Sequence, residues 1–61
     1  MTELEQFRGF LMRSLGTTYG LSDGALAGYA RMAKSDVENS ATPWSWRAIA
    51  AERLRGDHEA H

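Results

Sequence analysis

No cysteine occurs anywhere in this chain of 61 residues, so no disulfide can supplement its core. At this length the constraint is severe. A domain of about 60 residues buries only about 60% of the surface its unfolded chain exposes. Domains so small commonly lean on disulfides, a bound metal or an oligomeric partner. One domain is the most the length allows, and its stability has to come chiefly from apolar packing. The missing thiols also suit a reducing compartment.

Apolar residues recur at helical spacing in three segments, and no stretch shows the alternation of a strand. In the first, Leu4, Phe7, Phe10, Leu11 and Leu15 share one face, opposite Glu5, Gly9 and Arg13. Thr2 reads as its N-cap, with Glu5 three positions on completing a capping box. Gly16 reads as its stop, because glycine takes the left-handed conformation that ends many helices. The expected helix is 3–15. "GTTYGLSDG" then reads as a loop, with Ser22 or Asp23 capping the next helix.

In that second segment Leu26, Tyr29, Ala30 and Ala33 form the stripe, with Val37 in line if the helix continues, while Arg31 and Lys34 point away. The alanines and Gly28 suggest a close approach between helices. "SDVENSAT", residues 35–42, reads either as a further short helix capped by Ser35 or as a turn. The last helix starts with Thr42 as N-cap and Pro43 in the first turn, where its missing N–H costs nothing. Trp46, Ile49, Ala50 and Leu54 make its stripe, Arg53 covers the apolar edge with its stem, and Gly56 closes it. "DHEAH" reads as a flexible tail over 57–61. The expected fold is all-α, a bundle of three to five short helices in one domain over 1–56.

The balance of 7 basic and 8 acidic residues gives a net charge of −1. Phosphate-backbone binding favours clustered Lys and Arg, and no segment here is basic. "MTELEQFRGF" carries acids where a signal peptide needs positive charge. No run approaches the roughly 18 apolar residues that span a bilayer. The expectation is a soluble, cytoplasmic protein without a membrane role.

Several residue sets invite a functional reading. "LAGYARMAKSDV", residues 26–37, has the apolar spacing with which many helix-turn-helix DNA readers begin. In that alternative, which spans residues 26–41, Arg31, Lys34 and Ser35 would contact DNA. Two features resist it: Arg31 stands where the tight turn commonly has glycine, and Pro43 leaves a short recognition helix bearing Asp36 and Glu38, acids that phosphates repel. A packed helix pair is the preferred reading. His58 and His61 are too few for a firm metal site, which wants three or four ligands on a scaffold. Ser14, Ser22, Ser35, Ser40 and Ser45 have no partner base, so no catalytic residue, cofactor or small-molecule substrate is expected. Trp46 reads as core and Trp44 as partly exposed. Trp44 and Tyr19 are therefore candidates for contact with a protein partner, since tryptophan and tyrosine are favoured at binding hot spots.

Three segments carry a family resemblance: "FRGFLMR" at 7–13, "YARMAKSD" at 29–36 and "WSWRAIAAERL" at 44–54. They resemble the three blocks of the YozE family of bacterial and prophage proteins, whose fold is similar to the sterile-alpha-motif domain. The resemblance implies a compact bundle of four or so short helices and brings no activity with it. It implies a phage or prophage accessory factor that binds another protein or itself. Domains of this shape often associate head to tail. In that arrangement Asp36 and Glu38 would form an acidic surface facing a basic one of Arg47, Arg53 and Arg55, a heterologous contact able to form open chains.

Overall fold

A computed structural model describes residues 1–41 and 43–59. It contains three helices, α1 (Glu3–Leu15), α2 (Asp23–Ser40) and α3 (Trp46–Glu59), and no strand among the described residues. The all-α expectation is met at its lower bound of three helices.

Both ends of α1 follow from the sequence. Thr2 is extended, and its Oγ1 accepts a hydrogen bond from the Glu5 N–H at 3.1 Å. This satisfies one of the donors that a helix start leaves without a partner. Glu3 and Glu5 place negative charge in the first turn, where the helix dipole favours it. Gly16 is left-handed at φ 76°, and its N–H donates to the Met12 carbonyl at 3.0 Å.

Ser22, rather than Asp23, caps α2, its Oγ accepting from the Ala25 N–H at 3.3 Å. The helix then runs unbroken for 18 residues. The further element left open at 35–42 is thus the last part of α2, with Ser35 inside it accepting from Asn39 Nδ2 at 3.4 Å. The reason is the stripe itself: Ala33 is fully buried and Val37 half-buried, and no residue from 29 to 40 is Gly or Pro. Continuing the helix keeps that stripe on the core. Ala41, left-handed at φ 50°, ends it by donating to the Val37 carbonyl.

The start and finish of α3 both differ from the expectation. Ser45 caps it, its Oγ accepting from the Ala48 N–H at 3.3 Å, so Pro43 and Trp44 lie in the preceding bend. Thr42, the expected cap, lies outside the described residues. Gly56 does not close the helix, which continues through Asp57 and His58 to Glu59. The expected tail therefore begins, among the described residues, as helix. Tertiary contacts described below hold that last turn.

The core is one cluster. Phe7, Leu11, Leu26 and Leu54 are its large, fully buried side chains, and Ala30, Ala33, Ala50 and Ala51 complete it. Small residues on α2 and α3 let those two helices approach closely, while α1 contributes the bulk of Phe7 and Leu11. Gly28 plays no part in the approach, because a Cβ there would meet nothing within 4 Å. Leu4, Phe10, Leu15, Trp46 and Ile49 form a half-buried collar. No described polar side chain is buried, so the core carries no desolvation debt.

Candidate interaction surface

Charged side chains on this small surface mostly find partners within the chain. Arg8 bridges to Asp23, Lys34 to Glu3, Arg53 to Asp36 at 3.3 Å and Arg55 to Glu52 at 2.9 Å. Four of the seven Lys and Arg are thereby engaged, all at exposed sites. Of the acidic and basic residues expected to face each other between copies, Asp36 and Arg53 already meet within one chain. Arg53 is exposed and spans from α3 to α2, so its guanidinium reaches a carboxylate rather than only water. Arg55 pairs along its own helix. Glu38 is exposed and enters no salt bridge among the described residues.

The residues of the DNA-reading alternative sit on one uninterrupted helix, with no turn between residues 23 and 40. Lys34 is committed twice, to Glu3 and over the Trp46 ring at 4.8 Å from its centroid. Arg31 is exposed at the rim of a cleft of about 160 Å³ floored by Leu4, Phe7, Ala30 and Trp46. Ser35 is occupied with Asn39.

Trp44 and Trp46 divide as expected. Trp46 packs on the core, its ring 5.1 Å from that of Phe7, whereas Trp44 is 60% exposed. Trp44 stands at one end of a hollow of about 260 Å³ between α1 and α3, with Phe10, Leu15, Ala48 and Ala51 along it. Phe10 also lines a larger groove of about 530 Å³, bounded by Gln6, Gly9, Arg13, Ser45 and Arg47. The two hollows meet at Phe10 and form one face across α1 and the first half of α3. Arg47 is held there by the Trp46 ring, 4.7 Å from its centroid, and by Gln6 Oε1 at 3.5 Å. The groove itself was not legible as a site in the sequence. Its one signal was Gly9, a helix-weakening residue in the middle of a helix.

Tyr19, the other aromatic candidate, lies elsewhere. Its hydroxyl donates to the Glu59 carboxylate, and its ring stacks on His58 at 4.7 Å and 10°. Beside it the Tyr29 hydroxyl donates to Asp57 Oδ2 at 2.6 Å. Both phenols are pushed above their usual 10.0. The main cause in each case is the bond donated to a carboxylate, which deprotonation would destroy; desolvation and the carboxylate's charge add to it. This cluster clamps the end of α3, about 20 Å along the helix from Trp46. Sequence reading missed it because Asp57 and Glu59 were assigned to a tail. His58 stands in the cluster, His61 lies outside the described residues, and no group of three or more metal-binding side chains occurs among those described.

The described residues form three helices, with exposed Trp44 and half-buried Phe10 on the face across α1 and the first half of α3. None of its described helices is long and apolar enough to cross a membrane. No protein-family model, no curated protein and no solved structure matches the chain.

Proposed function

We propose that this protein is a non-catalytic interaction module that binds a protein through the face formed by α1 and the first half of α3. The observation that carries this reading is the exposure of Trp44, 60%, beside half-buried Phe10 and Leu15. An indole is expensive to leave in water, and contiguous apolar surface on a small protein commonly marks an interface. The reading extends to the family resemblance: a sterile-alpha-motif-like module of the YozE type, acting in the cytoplasm as a phage or prophage accessory factor. The internal engagement of Lys34, Arg53 and Arg55 supports a protein partner over DNA, because it leaves few cations for phosphates.

The test compares Trp44→Ala with Arg31→Ala. A protein retained by the immobilised wild type should be lost on Trp44→Ala and kept on Arg31→Ala. Retention by both variants would sink the reading. So would duplex DNA binding at about 50 mM salt that fades by about 200 mM and is weakened by Arg31→Ala. Self-association is separable by sedimentation of Glu38→Lys, which leaves the internal Asp36–Arg53 pair intact.

A further inference from the structure

Three basic residues enter no salt bridge among the described residues: Arg13, Arg31 and Arg47. Two of the three line the same groove, the hollow of about 530 Å³ whose apolar wall is Phe10. Only one carboxylate, Glu5, lines it with them. The Arg47 guanidinium is also placed by neighbouring groups. Arg47 is fixed over the Trp46 ring and bonded to Gln6. Arg13 folds back along α1, with Nη1 3.4 Å from where a Cβ of Gly9 would stand. Gly9 in mid-helix costs roughly 0.8–1.0 kcal/mol relative to Ala. Apart from that guanidinium, a Cβ there would meet nothing within 4 Å, so core packing does not require the glycine. Its absent side chain leaves the groove floor low between the two cations.

From this arrangement we infer that the groove receives an acidic segment of a different protein, an amphipathic stretch whose apolar side chains seat on Phe10 and Trp44 while its carboxylates meet Arg13 and Arg47. The inference rests on the proposed docking role of this face and specifies the chemistry of its partner. A second copy of the chain is a poor complement. Four of its eight acids are in salt bridges, and Asp57 and Glu59 hold tyrosine hydroxyls. Glu5 belongs to the groove itself. Glu38 alone remains outside it, and a single carboxylate cannot answer two guanidiniums. Bidentate recognition of carboxylates by arginine supplies the geometry.

The experiment is an amide-shift titration of the isotope-labelled full chain with three probes. One is a blocked peptide with Leu at i, i+3, i+4 and i+7 and Glu elsewhere. The second replaces every Glu by Lys, and the third is a short DNA duplex. The acidic peptide should move Gly9, Arg13, Arg47 and the Trp44 indole, with little response to the basic one. The double variant Arg13→Glu, Arg47→Glu should bind the acidic peptide about tenfold more weakly, as expected for two exposed pairs, with its thermal midpoint checked against the wild type. Arg13→Gln, which removes charge without adding any, should fall between the two. If the basic peptide binds this face as well as the acidic one, docking stands and the acidic partner is wrong. If neither peptide moves the face, both readings fall. Stronger shifts at Arg13 and Arg47 from the duplex than from the acidic peptide would overturn the inference in favour of nucleic acid.

Discussion

The two ends of α3 use aromatic residues in opposite ways. At the C-terminal end Tyr19 and Tyr29 spend their hydroxyls on Glu59 and Asp57, and His58 lies flat on Tyr19. At the N-terminal end Trp46 is packed on Phe7, but Trp44 is left 60% exposed beside a groove whose two arginines, Arg13 and Arg47, enter no salt bridge among the described residues. The tyrosine hydroxyls tie the last turn of α3 to α2 and the preceding loop, whereas the Trp44 indole keeps most of its surface in solvent. The clamp also accounts for a local cost: Tyr19 sits at φ 56° in the loop between α1 and α2. A bulky residue is rarely left-handed, and here its ring and hydroxyl both have partners that hold it so.

Breaking the buried side of the tryptophan end should have the largest effect. Phe7 is entirely buried and packs on Trp46. Phe7→Ala should cost about 3–5 kcal/mol, against a total stability of roughly 3–9 kcal/mol for a chain of this size. The thermal midpoint followed by helical circular dichroism should fall steeply, to or below room temperature if the total lies at the low end of that range. A cooperative thermal transition close to that of the wild type would mean that α1 is not integral to the core.

Gly9→Ala sharpens the comparison from the other side. It should stabilise α1 by up to about 1 kcal/mol through helix propensity, raising the thermal midpoint. The same methyl group would fill part of the groove and stand in contact with the Arg13 guanidinium, 3.4 Å away. A variant that is more stable yet binds less well is the expected signature of a residue kept for the surface rather than for the fold.

How much of this was legible in the sequence differs from element to element. The α1 boundaries were, because Thr2 and Gly16 are local signals acting on their own backbone neighbours. The buried faces were largely legible too, through Phe7, Leu11, Leu26, Ala30, Ala33, Ala50 and Leu54. Ala51 escaped because it stands one step off the stripe that Trp46 and Leu54 define. The C-terminal ends of α2 and α3, and the start of α3, were not legible. Gly56 is a stop signal in isolation, but Asp57 and Glu59 gain partners from α2 and the preceding loop, 28 and 40 residues away in sequence. No local pattern encodes such pairs. For the same reason the bond of the Tyr19 hydroxyl to Glu59 and the stacking of its ring on His58 were not foreseen, while the exposure of Trp44 was, because Trp44 lies off the stripe of Trp46, Ile49, Ala50 and Leu54.

The clamp should reveal itself at high pH. Both tyrosine hydroxyls have their pKa raised above 10.0 in the folded chain by donating to carboxylates. The folded state therefore holds these protons more tightly than the unfolded one, so stability falls as pH rises. The contribution is fully present below about pH 10 and is lost as pH climbs through the folded-state values. Tyr29→Phe removes one such bond and should cost less than about 1 kcal/mol, the range for a hydrogen bond facing solvent. Urea titrations of this variant at neutral and alkaline pH should show a smaller loss on raising the pH than in the wild type. An equal loss would mean that the end of α3 is held by packing and not by the hydroxyls.

Trp44→Ala should change the stability least, by about 0.5 kcal/mol, because most of the indole is already in solvent. Its value lies in the contrast with Phe7→Ala, two aromatic truncations on one side of the same bundle. If the open end of α3 is a binding face, Trp44→Ala leaves the thermal midpoint in place and abolishes capture of the partner. A large drop in midpoint would show instead that the indole braces the bend between α2 and α3. The difference between the two ends of α3 would then be one of degree, and the face would lose its claim to be kept for a partner. Measuring midpoint and binding on the same preparation separates these outcomes, because a brace moves both quantities and a contact residue moves only the second.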